Sequence, residues 1–322
     1  MHRRSSHILA NLLPPAAFSM LSVLLLLLYD TFRAATWPAL ISIGLGPLGL
    51  SSSALSLLLV FRTNSSAARF DEARRLWGSI VNRSRDLVRQ SLVYFPADAR
   101  GEALKAALVR WVVALAHCVR LHMRAPREAT PAALAAWLQP HELAGLQAAA
   151  HRPNYCLQAL SHIIAAGCGD PAIAHRVDEG AQSLPPRHSL ACSLAHAPRM
   201  HRAPVLLDLK FMEDAIGGCE RLFRTPIPLS YTRHTSRLLL FWLAYLPLAL
   251  FAELRWHALF VAPLLVLILF GIDEIGVELE EPFTLLPLET LCDAIKAQAT
   301  ELLAADVAMR AMVGGYEPQA KA

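Results

Sequence analysis

Hydrophobic positions along this chain fall into two regimes. Four runs are apolar almost without interruption: Leu12 to Tyr29, Trp37 to Phe61, Leu238 to Ala252 and Trp256 to Ile272. A bilayer crossing takes about 20 apolar residues, with a range of about 17 to 25, so each run predicts a membrane-spanning helix. The third is short and carries Pro247. It predicts either a span completed by flanking residues or a re-entrant partner of the fourth. Elsewhere apolar residues recur at intervals of three and four. In "ARFDEARRLWGSIVNRSRDLVRQSLVYF" they fall at Phe70, Ala73, Trp77, Ile80, Val81, Leu87 and Val88, the spacing of an amphipathic helix. Gly101 to Met123 repeats the pattern, and "TPAALAAWL" opens on a Thr-Pro helix start. Two later stretches, "LLDLKFMEDAIGGCERLF" and "LETLCDAIKAQATELLAADVAMRAMV", extend the helical reading, and no alternation of period two stands out.

These elements define an order along the chain. Residues 1–66 hold the N-terminal segment and the first two spans, 67–235 a large helical domain, 236–276 the third and fourth spans, and 277–322 a C-terminal helical segment. Within the large domain, 167–204 is rich in Pro, Ala, Ser and His with weak periodicity, and predicts a partly disordered loop or insertion. The connections "DTFRAAT" and "ELR" are brief, whereas the long segment and "MHRR" hold most of the basic residues. Positive residues favour the cytoplasmic or equivalent side, so the large domain is expected inside.

Composition agrees with a membrane protein. The 322 residues are 55% hydrophobic and 17% charged, with a mean hydropathy of +0.38; soluble domains carry about 25% charged residues. A net charge of +4 that includes 26 acids does not make the broad basic surface that nucleic acid requires. The six cysteines lack any C-x-x-C pair and read as free thiols in a reducing compartment.

Motifs for enzymatic chemistry are weak. "GLGPLG" (Gly44 to Gly49) has the spacing of a dinucleotide fingerprint, but it lies in an uncharged span and follows no strand, so it reads as small-residue packing or a helix break. The thirteen histidines include no H-x-x-x-H or H-E-x-x-H; His117 and His122 are five apart, off one another's face. No metal, cofactor or catalytic residue is expected. Glu274, Glu278 and Glu281 line one helix face beyond the last apolar run, with pairing to the basic face of Arg69, Arg74, Arg75 and Arg83 favoured over a cation site. Arg62 ends the second apolar run. It is either an interfacial anchor or a pore-facing charge that attracts anions.

Three stretches, "LLLVFRTNSSAARFDEARRLWGSIVNRSRDLVRQ", "TPIPLSYTRHTSRLL" and "LFGIDEIGVELEEPFTLLPLETLCDAI", resemble the bestrophin family, in particular its bacterial and plastid branch. The resemblance covers most of the chain apart from 167–204. It implies an all-α membrane protein: a homopentamer with four transmembrane helices per subunit, a central pore, and a large helical domain on the cytosolic or stromal side. In the family the second membrane helix lines a hydrophobic neck through residues four apart. Carried to this chain, that spacing places Ser53, Leu57 and Phe61 on the neck, with Arg62 joining them as in the plastid branch. Leu55 and Leu59 belong to the competing face.

The resemblance further implies passive conduction of inorganic anions such as chloride, bicarbonate or nitrate across a lipid bilayer. Animal members bind calcium through acids after Asn-Pro-Phe; here Glu281-Pro282-Phe283 leads into Thr284, Leu285, Leu286 and Pro287, so conduction independent of calcium is expected. "MHRRSSHILAN" is short for a transit peptide. An algal or plant origin would place the protein in the thylakoid membrane, and a bacterial origin in the inner membrane. A secondary anion transporter, which would carry an internal repeat that is not visible here, and a non-conducting membrane scaffold stay open as alternatives.

Overall fold

The computed structural model describes residues 5–38, 44–124, 132–168 and 191–314, with the side chains of 5–9, 132, 133 and 191–204 left out of the description. All regular structure among the described residues is helical: α1 (Ser5–Phe32), α2 (Gly46–Tyr94), α3 (Ala99–Arg124), α4 (Ala132–Ala135), α5 (Pro140–Ala148), α6 (Arg152–Gly167), α7 (Ala191–Arg224), α8 (Leu229–Leu254), α9 (Ala258–Glu280), α10 (Pro282–Leu285) and α11 (Leu288–Gly314). A 3-10 turn, Arg255–His257, joins α8 to α9. The chain divides into two units, 1–72 with 225–285, and 73–224 with 286–322.

The first unit packs α1 against α8 and α9, and α8 against α9. Its core draws Ala16 and Val23 from α1, Leu55 and Leu59 from α2, Leu239, Leu243 and Leu246 from α8, and Ala258, Ala262 and Val266 from α9. Among the described residues, two stretches are long and apolar enough to cross a membrane, Ala10–Phe32 and Leu229–Glu280. The second is broken where Arg255 takes a positive φ of 51°, which ends α8 and lets the chain turn. The short third apolar run is thus extended at both ends: α8 has 26 residues, about 39 Å at 1.5 Å per residue. The uncharged part of α2, Gly46 to Phe61, is shorter than the about 20 residues of a span. The rest of the predicted second span includes 39–43, which lie outside the described residues.

Large apolar side chains remain uncovered around this unit, among them Phe18, Leu24 and Leu25 on α1, Phe241 on α8, and Phe260 and Leu264 on α9. An apolar surface of this extent asks for lipid or another chain rather than water.

In the second unit α3 is the central helix, packed by α6 and α11. Residues Trp111 to Ala116 are all buried, which is how a helix enclosed on every side differs from an amphipathic surface helix. Lys105 is fully enclosed, yet its Nζ donates to Glu102 (3.1 Å) and Asp306 (3.0 Å), so the buried charge is paired. Arg310 bonds Glu102 as well, and that bond holds the Glu102 carboxyl below its usual range. Gly218 of α7 lies where a Cβ would come within 2.9 Å of Leu76 on α2, so glycine allows that close approach.

Two expectations change. The helix α7 begins at Ala191, so 191–204 is helical rather than loop, while 169–190 lies outside the described residues. Of the expected pairing between the Glu274 face and the arginines of α2, Arg83 bonds Asp208 (3.0 Å) and Glu274 accepts from Asn11 Nδ2 at 2.6 Å, so these two members have other partners. The described cysteines, Cys118, Cys156, Cys168, Cys219 and Cys292, are free and buried.

Candidate functional site

The candidate site is built on the membrane part of α2. One face of this helix is held by the unit's own core: Leu55 and Leu59 are 2% and 3% exposed. Polar contacts fix the same side. Tyr231 of α8 donates its hydroxyl to the Leu58 carbonyl (3.2 Å), and Trp242 Nε1 donates to the Leu48 carbonyl (3.5 Å). With that face bound, the helix period turns Ser53, Leu57 and Phe61 together onto the other side. Ser53 is exposed, and Leu57 and Phe61 are 54% and 53% exposed. The three expected neck residues therefore share one uncovered stripe.

Arg62 does not share it. Its side chain is 4% exposed and turns inward, where Nη1 pairs with the Asp273 carboxylate of α9 and donates to Ser236 Oγ of α8 at 3.1 Å. Gly276, one helical turn after Asp273, lies beside Arg62 and Thr63, where a Cβ would make only ordinary contact. The pore-facing orientation expected for Arg62 is thus replaced by an intramolecular one. A guanidinium at the end of an apolar run needs a partner, and an acid within reach on α9 satisfies it more closely than headgroups or passing ions. Asp273 and Ser236 were not singled out in the sequence. The "ID" step inside an otherwise apolar helix was the available signal, because an acid in such a run must meet a base.

Beyond α9, the Glu281 carbonyl accepts from the Thr284 backbone N–H (3.2 Å) and hydroxyl (2.7 Å). This oxygen is committed to the turn that begins α10.

The second unit holds two further groupings. Arg75, Asn82, Arg83, Arg85 and Asp86 line an open groove on α2 with a volume of about 670 Å³. Arg83 is anchored by Asp208 and lies over the Phe211 ring at 4.4 Å, and Arg85 donates to Gln298 (2.5 Å). Burial pushes the Asp208 carboxyl up from its ordinary value despite Arg83 and Gln90. His122, His151 and Glu220, from α3, the start of α6 and α7, form the other grouping: their ligand atoms lie within 4.8 Å of one another. Burial, then the neighbouring His151, lowers the His122 pKa and favours its neutral imidazole. On α3, His117 is likewise pushed down by burial, then by Arg120.

Long apolar helices, an amphipathic continuation and a buried charge pair between them define an all-helical integral membrane protein. The profile of the bacterial/fungal bestrophin family matches residues 1–301, so the chain belongs to that family. It is 31% identical to Voltage-dependent chloride channel 1, chloroplastic, of Arabidopsis thaliana, over 95% of this chain and 68% of that protein. Identity to Voltage-dependent anion channel-forming protein alr2987 of Nostoc sp. is 30%, over 88% of this chain and 84% of that one. Among solved structures, a bacterial Bestrophin homolog from Klebsiella pneumoniae superposes with a TM-score of 0.72 at 23% identity, covering 92% of this chain and 98% of that one.

Proposed function

We propose that this protein is the subunit of an anion channel in which Ser53, Leu57 and Phe61 line a hydrophobic neck. The observation that carries the reading is the α2 stripe. These residues are left uncovered while Leu55, Leu59 and Arg62 on the opposite side are buried. A ring of such stripes gates by dewetting: an apolar constriction excludes water and ions until it widens slightly. Membership of the family, and relatives named as voltage-dependent chloride and anion channels, support conduction of anions by this chain.

The finer parts of the reading rest on the resemblance to the bestrophin family. A continuous stripe on one helix suits a cyclic assembly, here a pentamer with four spans per subunit, in which α1, α2, α8 and α9 cross the bilayer. Chloride, bicarbonate and nitrate are the anions the site would pass. Calcium has no part in opening, because Pro282 to Pro287 offer no carboxylate after Glu281 and their one side-chain oxygen, the Thr284 hydroxyl, is engaged with the Glu281 carbonyl. Resemblance to both plastid and bacterial relatives suits a thylakoid membrane in a photosynthetic eukaryote or the inner membrane of a bacterium.

The test is the current across a planar bilayer holding the purified protein under an asymmetric chloride gradient. A reversal potential near the chloride equilibrium value, unchanged after a calcium chelator is added on both sides, is the expected result. Reversal near the cation equilibrium value would reject anion selectivity. Loss of current on chelation, restored by calcium, would reject the calcium-free mechanism alone.

A further inference from the structure

In the second unit, three metal-ligating side chains on three separate helices converge. His122 closes the last turn of α3, His151 caps the start of α6, and Glu220 projects from α7. Glu220 Oε1 lies 2.8 Å from His151 Nε2 and 3.4 Å from His122 Nε2, and the two imidazoles are 4.8 Å apart between ring centroids. All three are partly buried and face one another rather than solvent.

We propose that His122, His151 and Glu220 form a binding site for one divalent transition metal ion of the zinc type. Two imidazoles and a carboxylate are a common three-ligand set for zinc, which leaves a fourth position for water. Calcium and magnesium ask for more oxygen ligands than this site holds. Tetrahedral ligands at metal bond lengths of about 2.0–2.2 Å lie roughly 3.3–3.6 Å from one another, so the His122–Glu220 separation already suits one ion, the His151–Glu220 pair must open slightly, and the widest separation, within 4.8 Å, must close. The present hydrogen bonds hold the donors in place. His151 Nδ1 accepts from the Asn154 backbone N–H (3.2 Å), so in this state its Nε2 carries the proton given to Glu220. Ligation at Nε2 moves that proton to Nδ1 and releases the Asn154 cap, so the ion ties α3 and α7 to α6 while loosening the first turn of α6.

Full-length protein, purified in detergent and stripped with a chelator, is titrated with zinc against a chromophoric competitor. One saturable site per chain is expected. The His122→Ala/His151→Ala double variant, checked for an unchanged oligomer by gel filtration, should bind at least about 100-fold more weakly. X-ray absorption at the zinc edge of the wild-type protein should show nitrogen and oxygen neighbours at about 2.0–2.2 Å and no sulfur at about 2.3 Å. This measurement needs no variant, so the site remains testable if the double variant misfolds. A sulfur shell, a folded double variant that binds as tightly as wild type, or absence of saturable binding overturns the proposal. None of these readouts depends on conductance.

Discussion

Arg62 shows how one residue resolves a conflict set by its own sequence position. The apolar run from Gly46 to Phe61 delivers it into surroundings where a lone charge is costly, and Asp273 with Ser236 answers that charge inside the same chain. Breaking a buried ion pair by removing one member leaves the other uncompensated, which costs about 3–5 kcal/mol. Replacing both members with apolar groups of similar volume is often neutral. Arg62→Ala and Asp273→Ala should therefore each lower the thermal unfolding midpoint of the purified protein. The paired change Arg62→Met/Asp273→Leu should recover most of the loss. If both single variants melt with the wild type, the pair does not stabilise the unit. Anion selectivity should survive Arg62→Ala wherever the variant still assembles, because the guanidinium is engaged by Asp273 and not turned to the stripe.

At the scale of the element, α2 is read from its two faces. Leu59→Ala removes a packed side chain and should cost about 2–5 kcal/mol of stability with little direct effect on the neck. Leu57→Ala and Phe61→Ala touch the uncovered stripe, so they should leave stability nearly unchanged and raise open-channel current severalfold by making the constriction wider and easier to wet. Single-channel recording beside thermal unfolding separates the two faces; the opposite assignment of effects would mean that α2 is turned the other way. Much of this helix was legible in the sequence. Its continuation past Arg62 follows from the three-and-four spacing of Ala73, Trp77 and Ile80, all of which are buried. Its rotation was not legible, since Leu55 and Leu59 are as apolar as Leu57 and Phe61, and only packing against α8 and α9 decides between them. The helical course of 191–204 was hidden for a different reason: Pro198 and Pro204 weigh against a helix interior, and the stretch lacks an apolar period. The grouping of His122, His151 and Glu220 has no local spacing at all, because three helices bring it together.

For the whole molecule, the decisive fact is what the single chain leaves uncovered. Lipid accounts for apolar side chains on an outer surface, but it gives no reason for a serine, a leucine and a phenylalanine to be held in line on a helix whose other face is pinned by hydrogen bonds. Copies of the chain arranged about an axis do give one, since rotational symmetry brings the same stripe from each copy to the centre and closes the assembly. The number of copies sets the width of the opening: too few helices would press Phe61 side chains together, and many would leave a pore too wide to dewet. Five copies, as the bestrophin resemblance implies, is the expected answer. Native mass spectrometry of detergent-purified protein should then give a complex of five times the 35.3 kDa chain, and Phe61→Ala should change the current without changing that mass. A stable dimer or trimer would press the Phe61 side chains together and leave no opening between the stripes, and the neck would have to be sought on another surface of the chain.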